Sequence, residues 1–514
     1  MESLESNRRH SEAAWRCFTF LFGSPVSRSR EREGRDSDDP IHLAVGSPDL
    51  TQEAIVLAAG KGTRMRTSLP KVLHGLAGKP MLVRVLDALH GVGFSSPAVV
   101  VGYRHDEIEQ VIGDRCRYIV QSQQRGTGHA ALTALEALDL SVQRVLVASG
   151  DEPMIESETF RNMLNLHLQS GAAVTLLTAI VDDTRGFGRV IRNDWGKPMA
   201  LVQVDDLTPQ QHAIREVSFS AYVFDADFLR RTLPRLQPHP PKDELYLTDV
   251  VAMAVDEGLA VEALTIPADE ATLGINTLVH LEGASKAVYQ QINRRLMESG
   301  VTIVDSASTF IDEDAVIEPD TVIYPFTFIS GPAHIGRACI IGPSSRIVSS
   351  TIGERCTIEA STVEESVVED DVRIGPYAHL RPGARIGSRV EVGNFAEIKR
   401  SSVGPDSRVH HFSYLGDAQV GARVNIGAGT VTCNFDGVEK HQTIIEDDAF
   451  IGSDTMLRAP VRVGEGAATG AGAVVTRDVK PGKLAVGMPA RTIKEVERAT
   501  ASDSDKSELQ EQRS

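Results

Sequence analysis

From Ile311 onward the chain places an aliphatic residue at every sixth position. Ile311, Ile317, Ile323, Ile329, Ile335, Ile341 and Ile347 form one unbroken series. Ile374, Leu380, Ile386, Val392 and Ile398 form a second, and Ile445, Ile451, Leu457 and Val463 a third. Neither an α-helix nor a half-buried strand has this period. A parallel β-helix does, because each hexapeptide forms one flat side of a coil and points its aliphatic residue inward. The rows predict a solenoid from about Ile311 to Val475, with coils of about 18 residues and roughly nine of them. Slips of one residue, at Ile347 to Ile352 and at Ile398 to Val403, fall where corners can absorb them. Thr432 to Thr443 breaks the pattern outright. Its Asn434, Asp436 and Gly437 favour turns, so a loop extruded from the solenoid is expected there.

The N-terminal half has a different rhythm. Short apolar runs such as Ala54 to Ala58 alternate with helical stretches, which predicts a Rossmann-like, mostly parallel sheet in an α/β domain. Leu278 to Glu298 has helical spacing and good helix formers, and reads as a helix joining two units. Such a connector favours an intermediate that diffuses between the units. The expected organisation is a disordered extension over 1–50, an α/β domain over 51–278, a linker helix over 279–300, a β-helix over 301–495 and a disordered tail over 496–514. The stretch from Ser27 to Pro40, almost entirely charged or small, supports the first assignment.

Composition narrows the function. The 514 residues carry a net charge of −17, which argues against general affinity for nucleic acid or anionic membrane. No apolar run reaches the roughly 18 residues of a membrane helix. The five cysteines are odd in number and scattered, with no CxxC pair, so neither a zinc site nor a disulfide framework is expected. A reduced cytoplasm is the simplest setting.

The candidate chemistry starts where the first strand ends. Ala59-Gly60-Lys61-Gly62-Thr63-Arg64-Met65 joins a glycine turn to basic residues, a combination that cradles phosphate through backbone N–H groups and side-chain charge. Val147 to Asp151 places a carboxylate at the end of an apolar strand, where it could hold Mg2+ or cap a helix. The run from Leu57 to Met65, then Leu69-Pro-Lys71-Val-Leu and Ala77-Gly-Lys-Pro80, closely resembles the signature of sugar-1-phosphate nucleotidyltransferases. Gln121 to Ala130, Gly186 to Val190 and Asp243 to Asp249 match further motifs in the same order. The resemblance implies transfer of a nucleotidyl group to a sugar phosphate with release of pyrophosphate. It assigns catalytic roles to Lys71 and Arg64 and metal binding to Asp151 and Asn276. It draws the nucleotide and sugar contacts from Leu57, Ala58, Ala59, Gly60, Lys71, Gln121, Gly126, Thr127, Ser149, Gly150, Asp151, Gly188, Gln203, Ser218 and Asn276.

The solenoid carries its own motif set: Leu380-Arg-Pro-Gly383, Gly393 to Lys399, His411 to Asp417, Asn425 to Thr430 and Thr432 to Gly437. With the first set, these closely resemble the bifunctional N-acetylglucosamine-1-phosphate uridyltransferase/glucosamine-1-phosphate acetyltransferase family, from Ala54 to about Val475. The resemblance implies a left-handed parallel β-helix, a homotrimer, and acetyl-CoA, UTP and Mg2+ as cosubstrates and cofactor. The product would feed peptidoglycan and lipopolysaccharide. His411 would be the base of acetyl transfer, and Arg381 and Lys399 would hold the sugar phosphate. Tyr414 and Asn425 would line the sugar site with Lys440, which also counts among the coenzyme contacts with Asn434, Phe435, Ser453 and Ala471. His410 adjoins the base. Strand alternation allows only one of the two into a site, and family position selects His411.

The chain departs from the family at Ser149, Gln203 and Ser218-Phe219-Ser220, where the family has Tyr, Glu and Asn-Thr-Gly. Metal and phosphate groups are thus retained while sugar contacts change. An arginine expected near Met488 is missing, and Arg491 could replace it. Two alternatives stay open: the same acetyltransferase beside a domain with another sugar or nucleotide, or a regulatory protein whose nucleotidyltransferase domain is inactive.

Overall fold

The computed structural model describes residues 51–182, 184, 186–240, 243–267 and 274–495. The disorder expected over 1–50 and 496–514 lies outside the described residues. The described residues form two compact units, one within 51–75 and 80–284, the other within 76–79 and 285–495.

The first unit is built on a sheet of nine strands, among the described residues. In chain order they are β1 (Gln52–Leu57), β2 (Ala98–Val101), β3 (Arg117–Val120), β4 (Arg144–Ser149), β5 (Val174–Ile180), β6 (Arg189–Arg192), β7 (Pro198–Val202), β8 (Glu216–Asp225) and β9 (Val261–Ile266). The spatial order is β9-β5-β8-β4-β1-β2-β3, with β6 pairing β8 off this path and β7 pairing β6. β1 pairs in parallel with both β2 and β4, whereas β8 runs antiparallel between β4 and β5. Successive residues of β1 face opposite sides. Ala54 and Val56 join a core with Leu82 and Phe160, and Ile55 joins one with Ala131 and Phe228. Helices thus cover both faces, as long apolar strands require.

The second unit is the solenoid. Its strands fall into three sheets of twelve, ten and nine, among the described residues. Neighbours within each sheet come from successive coils and run parallel, except the last pair, Lys483–Val486 with Arg491–Glu495. Every aliphatic residue of the three series is buried. The pairing Ile347↔Val363↔Leu380 shows coils of 16 and 17 residues among longer ones, so the slips are real and lie at corners. Corner residues take left-handed backbone, as at Asp320, Ala338, Arg355, Asp371, Arg389 and Asp406. Several of these stack as bidentate ion pairs on successive coils, Arg355 on Asp371 and Arg389 on Asp406.

Three expectations need correction. The rows begin earlier and end later, because Ile303 pairs with Ile323 and Thr469 with Ala485. The extruded loop is shorter than 432–443: Thr432 and Thr443 are both buried, and Thr432 takes the inward place of an aliphatic residue opposite Leu457. Its hydroxyl bonds to Gly416, which is how a threonine fits an apolar row. Finally, the strand ends at Val409, so His410 and His411 lie in a corner and strand alternation does not separate them.

The helix Leu278–Glu298 forms over the predicted span. Its Val288, Ile292 and Leu296 are buried at intervals of four. Asn293 donates to Ser306 O and Thr309 O at 3.1 and 2.9 Å, fastening this half of the helix to the start of the solenoid. No helix among the described residues is long and apolar enough to cross a membrane.

Candidate functional sites

In the first unit, β1 runs into the glycine turn. Gly62 takes φ 60° and leads into a short helical turn over Thr63–Met65. A Cβ on Gly62 would stand 2.7 Å from Lys71 Cβ, so glycine lets the loop lie on Lys71, while a Cβ on Gly60 would meet nothing. Among the described residues, the N–H groups of Gly60, Lys61 and Gly62 meet no backbone carbonyl. They line an open loop suited to an anion. Gly150 packs against Val72 and Ala58, and its N–H donates to Leu57 O at 3.0 Å, joining the loop to the end of β4.

Lys71, Arg64, Asp151 and Asn276 meet at this point. The Lys71 ammonium contacts an Asp151 oxygen and donates to Asn276 Oδ1 at 2.8 Å. Arg64 donates to the same Asn276 oxygen at 2.7 Å. Ser149 Oγ donates to the other Asp151 oxygen at 2.5 Å, and Ile275 N–H donates to Asp151 O at 3.0 Å. Burial works against ionised Asp151, but the charge of Lys71 and the bonds from Lys71 and Ser149 hold its pKa below the ordinary carboxylate value. Two hard oxygens, from Asp151 and Asn276, converge on one cation, Lys71. That donor set suits Mg2+, which takes carboxylate and amide oxygen and keeps its waters.

Gln121 is buried, with Nε2 2.8 Å from His129 Nδ1. Gly126 and Thr127 are stitched to the 243–249 segment: Leu245 N donates to Arg125 O, Gly128 N to Leu245 O, and Leu247 N to Thr127 Oγ1. Gly128 and Gly126 leave no room for a side chain there. Gly188 lies against Val202 O. The departures from the family turn inward: Gln203 donates to Thr248 Oγ1 at 3.2 Å, and Ser218 Oγ donates to Phe219 O at 2.8 Å.

One carboxylate was not anticipated from the sequence. Glu152 is buried beside Asp151, and both its oxygens accept from Ser220 N, at 2.8 and 3.0 Å. Burial first, and then the Asp151 charge, push its pKa up to about 8. Only its place, directly after Asp151, could have flagged it.

In the solenoid, one corner gathers the acetyl-transfer candidates. Asn394, His411, Ala428, Ser453 and Ala471 each stand two residues after an inward residue: Val392, Val409, Ile426, Ile451 and Thr469. They therefore stack on successive coils, about 4.8 Å apart. Cross-coil bonds run along this column, from Phe412 N to Asn394 O, Gly429 N to His411 O, and Gly472 N to Ser453 O. His411 adopts φ 54° and Phe412 φ 38°, a left-handed pair that β-sheet backbone does not use. His411 Nδ1 lies 2.8 Å from Asn394 Oδ1, whereas His410 turns to Glu391 at 3.2 Å. Asn394 was missed, although its offset from Val392 repeats that of His411 from Val409.

The phosphate candidates lie at the other edge of the next face. Arg381 and Lys399 are in register on adjacent coils, and Arg381 donates to Glu397 at 2.7 Å. The Arg381 charge first, then slight burial, Lys440 and Arg400, lower the Lys399 pKa, so the loop's Lys440 adds to one cationic cluster. The next position of that column is Gly416, where a Cβ would stand 2.5 Å from Tyr414 Oη and 2.8 Å from Asn434 Nδ2. Glycine lets Tyr414 and Asn434 fold over the spot above Lys399. Asn434 also bonds to Asp417, which Arg400 grips with both nitrogens. The loop is held internally by Asp436, which accepts from Val438 N and Glu439 N at 2.8 Å and contacts His441 at 2.7 Å. Phe435 is exposed. Asn425 is not in this cluster: it sits on the face before the corner, between Arg408 and Phe450. Met488 and Arg491 are both exposed near the last strand pair.

The MobA-like NTP transferase domain family matches residues 54–215, and the bacterial transferase hexapeptide family matches 365–400 and 442–477. The bifunctional protein GlmU of Heliobacterium modesticaldum is 46% identical over 442 residues, covering 86% of this chain and 96% of its own. GlmU of Carboxydothermus hydrogenoformans is 43% identical over 443 residues, covering 86% and 99%. GlmU of Pelobacter propionicus is 44% identical, covering 84% and 95%.

Proposed function

Since the chain belongs to the GlmU family of bifunctional proteins, with a nucleotidyltransferase unit and a hexapeptide transferase unit, we propose the substrates and residues of its two steps. The solenoid transfers acetyl from acetyl-CoA to the amine of glucosamine 1-phosphate. The first unit then transfers uridylyl from UTP to the resulting N-acetylglucosamine 1-phosphate, releasing pyrophosphate. The single observation that carries this reading is the corner column. It sets His411 on Asn394, one face away from the cationic cluster of Arg381, Lys399 and Lys440.

In acetyl transfer, the cluster holds the sugar phosphate, the guanidinium by paired N–H donors and the ammonium groups by charge. Nδ1–H of His411 donates to Asn394, which leaves Nε2 to take the amine proton. The amine nitrogen attacks the thioester carbonyl carbon, the C–S bond breaks, and the coenzyme leaves as a thiol after taking up that proton. Gly416 keeps the space under Tyr414 and Asn434 clear. Ser453 and Ala471, higher on the column, are small enough for the coenzyme to pass.

In uridylyl transfer, Lys71 and Arg64 neutralise phosphate charge as the sugar phosphate oxygen attacks the α-phosphorus. Asp151 and Asn276 would hold Mg2+, which neutralises charge developing on the phosphate oxygens when bound. Lys71, now paired with Asp151, is then free to turn to phosphate. Gln121, Gly126 and Thr127 form the edge for the uracil. The solenoid assembles as a cyclic trimer, so that corners of neighbouring subunits can share sites. Assaying purified protein with glucosamine 1-phosphate, acetyl-CoA, UTP and Mg2+ tests the reading. It requires UDP-N-acetylglucosamine and pyrophosphate, and their absence refutes it.

A further inference from the structure

We infer that Glu152 is a positioning residue for the sugar-phosphate acceptor of the first unit, acting through a bulge in β8; this rests on the uridylyl-transfer reading. The pairing of β8 with β5 shifts register between Ser218↔Thr178 and Tyr222↔Leu176, so three residues, Phe219 to Ala221, face Leu177 alone. Such a bulge leaves ladder groups unpaired and re-aims side chains. Phe219 and Ala221 point into the core, while Ser218 and Ser220 share the opposite, half-buried face. The Ser220 N–H, lost to the ladder, is captured by both oxygens of Glu152. Glu152 also abuts the segment that supplies Asn276: a Cβ on Gly274 would lie 3.5 Å from its Cγ. The adjacent Asp151 accepts from Ile275 N.

One buried side chain therefore fixes the bulge face carrying Ser218 to the Asp151–Asn276 cluster. The Ser218 hydroxyl donates to Phe219 O and also bonds to the Tyr222 side chain, so its contacts stay within β8, and the tie from this face to the Asp151–Asn276 cluster runs through Glu152. Glu152 touches no reacting atom. It sets how far the acceptor side stands from the phosphate side, and so should govern acceptor binding and leave UTP binding alone.

The test compares Glu152→Ala, Glu152→Asp and Glu152→Gln in the full-length protein, with UTP, N-acetylglucosamine 1-phosphate and Mg2+. Ala and Asp, which withdraw the oxygens from Ser220, should raise the acceptor KM about 10-fold or more and move the UTP KM less than about twofold. Gln, which keeps an acceptor in place, should stay within about threefold of the parent on both. The melting temperature of the first unit serves as the folding control, and acetyl transfer, which belongs to the other unit, should be unchanged in all three. Equal rises in both KM values, or a Gln variant as impaired as Ala, overturn the inference and leave uridylyl transfer standing. A wild-type protein that makes no nucleotide sugar overturns both. Asp is the milder change and decides the matter if Ala unfolds the unit.

Discussion

His411 Nδ1 lies 2.8 Å from Asn394 Oδ1, one coil away on the same corner of the solenoid. Both stand two residues past an inward valine, so the coil repeat itself delivers the Asn394 amide to the proposed base. His411→Ala should lower acetyl transfer about 10²–10⁴-fold, the usual worth of a positioned base, and leave uridylyl transfer intact. Asn394→Ala should cost less, about 10-fold, by freeing the imidazole to rotate and change tautomer. Steady-state rates of both reactions on both variants check this. Equal loss of both activities would refute the division of labour.

Gly416→Ala places a methyl within 2.5 Å of Tyr414 Oη and 2.8 Å of Asn434 Nδ2. The ring and the amide must move off the column above Lys399. A rise of about 10-fold or more in the KM for glucosamine 1-phosphate is expected, because half-buried Tyr414 must swing aside and buried Asn434 must leave Asp417. An unchanged KM would mean that the sugar phosphate binds elsewhere.

Lys71→Ala removes the cation between Asp151 and Asn276. Uridylyl transfer should fall about 10²–10³-fold, on the scale of losing one preorganised charge contact, while acetyl transfer is untouched. Asp151→Asn should raise the Mg2+ concentration needed for half-maximal rate. A Mg2+ titration of wild type and variant measures this.

His167 lies buried in the helix Ser157–Ser170, with Nδ1 3.0 Å from Thr175 Oγ1. Burial lowers its pKa from 6.5 to about 4. Above pH 6.5 both folded and unfolded chains carry it neutral. Between pH 6.5 and about 4 only the unfolded chain takes up the proton, so stability falls with pH, by up to roughly 3 kcal/mol once pH 4 is passed. His167→Gln should flatten the dependence of the first unit's melting temperature over that window. An unchanged slope would place the acid sensitivity in other groups.

Much of this was legible in the sequence. A period of six is a one-dimensional signal of a three-sided coil, so Ile311 to Val463 announced the solenoid directly. The C-terminal end and the edge of the loop were harder, because Thr432, Thr469 and Ala485 fill inward places that a search for aliphatic residues passes over. The motifs already placed Asp151 and Asn276 in one metal site, but gave no hint that Lys71, 205 residues from Asn276, would lie between them. Glu152 and Gly416 were invisible for a different reason. Their roles depend on what sits across a bulge or above a neighbouring coil, and those neighbours lie 68 residues away in one case and on the extruded loop in the other. The two histidines were misplaced onto a strand because a corner residue with φ near 54° leaves no mark in residue type unless it is glycine or asparagine.

The most direct measurement follows product formation in His411→Ala and Asp151→Asn side by side, given glucosamine 1-phosphate, acetyl-CoA, UTP and Mg2+. The Asp151→Asn protein should accumulate N-acetylglucosamine 1-phosphate. The His411→Ala protein should make no UDP-N-acetylglucosamine until N-acetylglucosamine 1-phosphate is supplied, and then make it at the wild-type rate. Two variants blocked at the same step, or a wild-type protein that forms no UDP-N-acetylglucosamine, would contradict the two-site account.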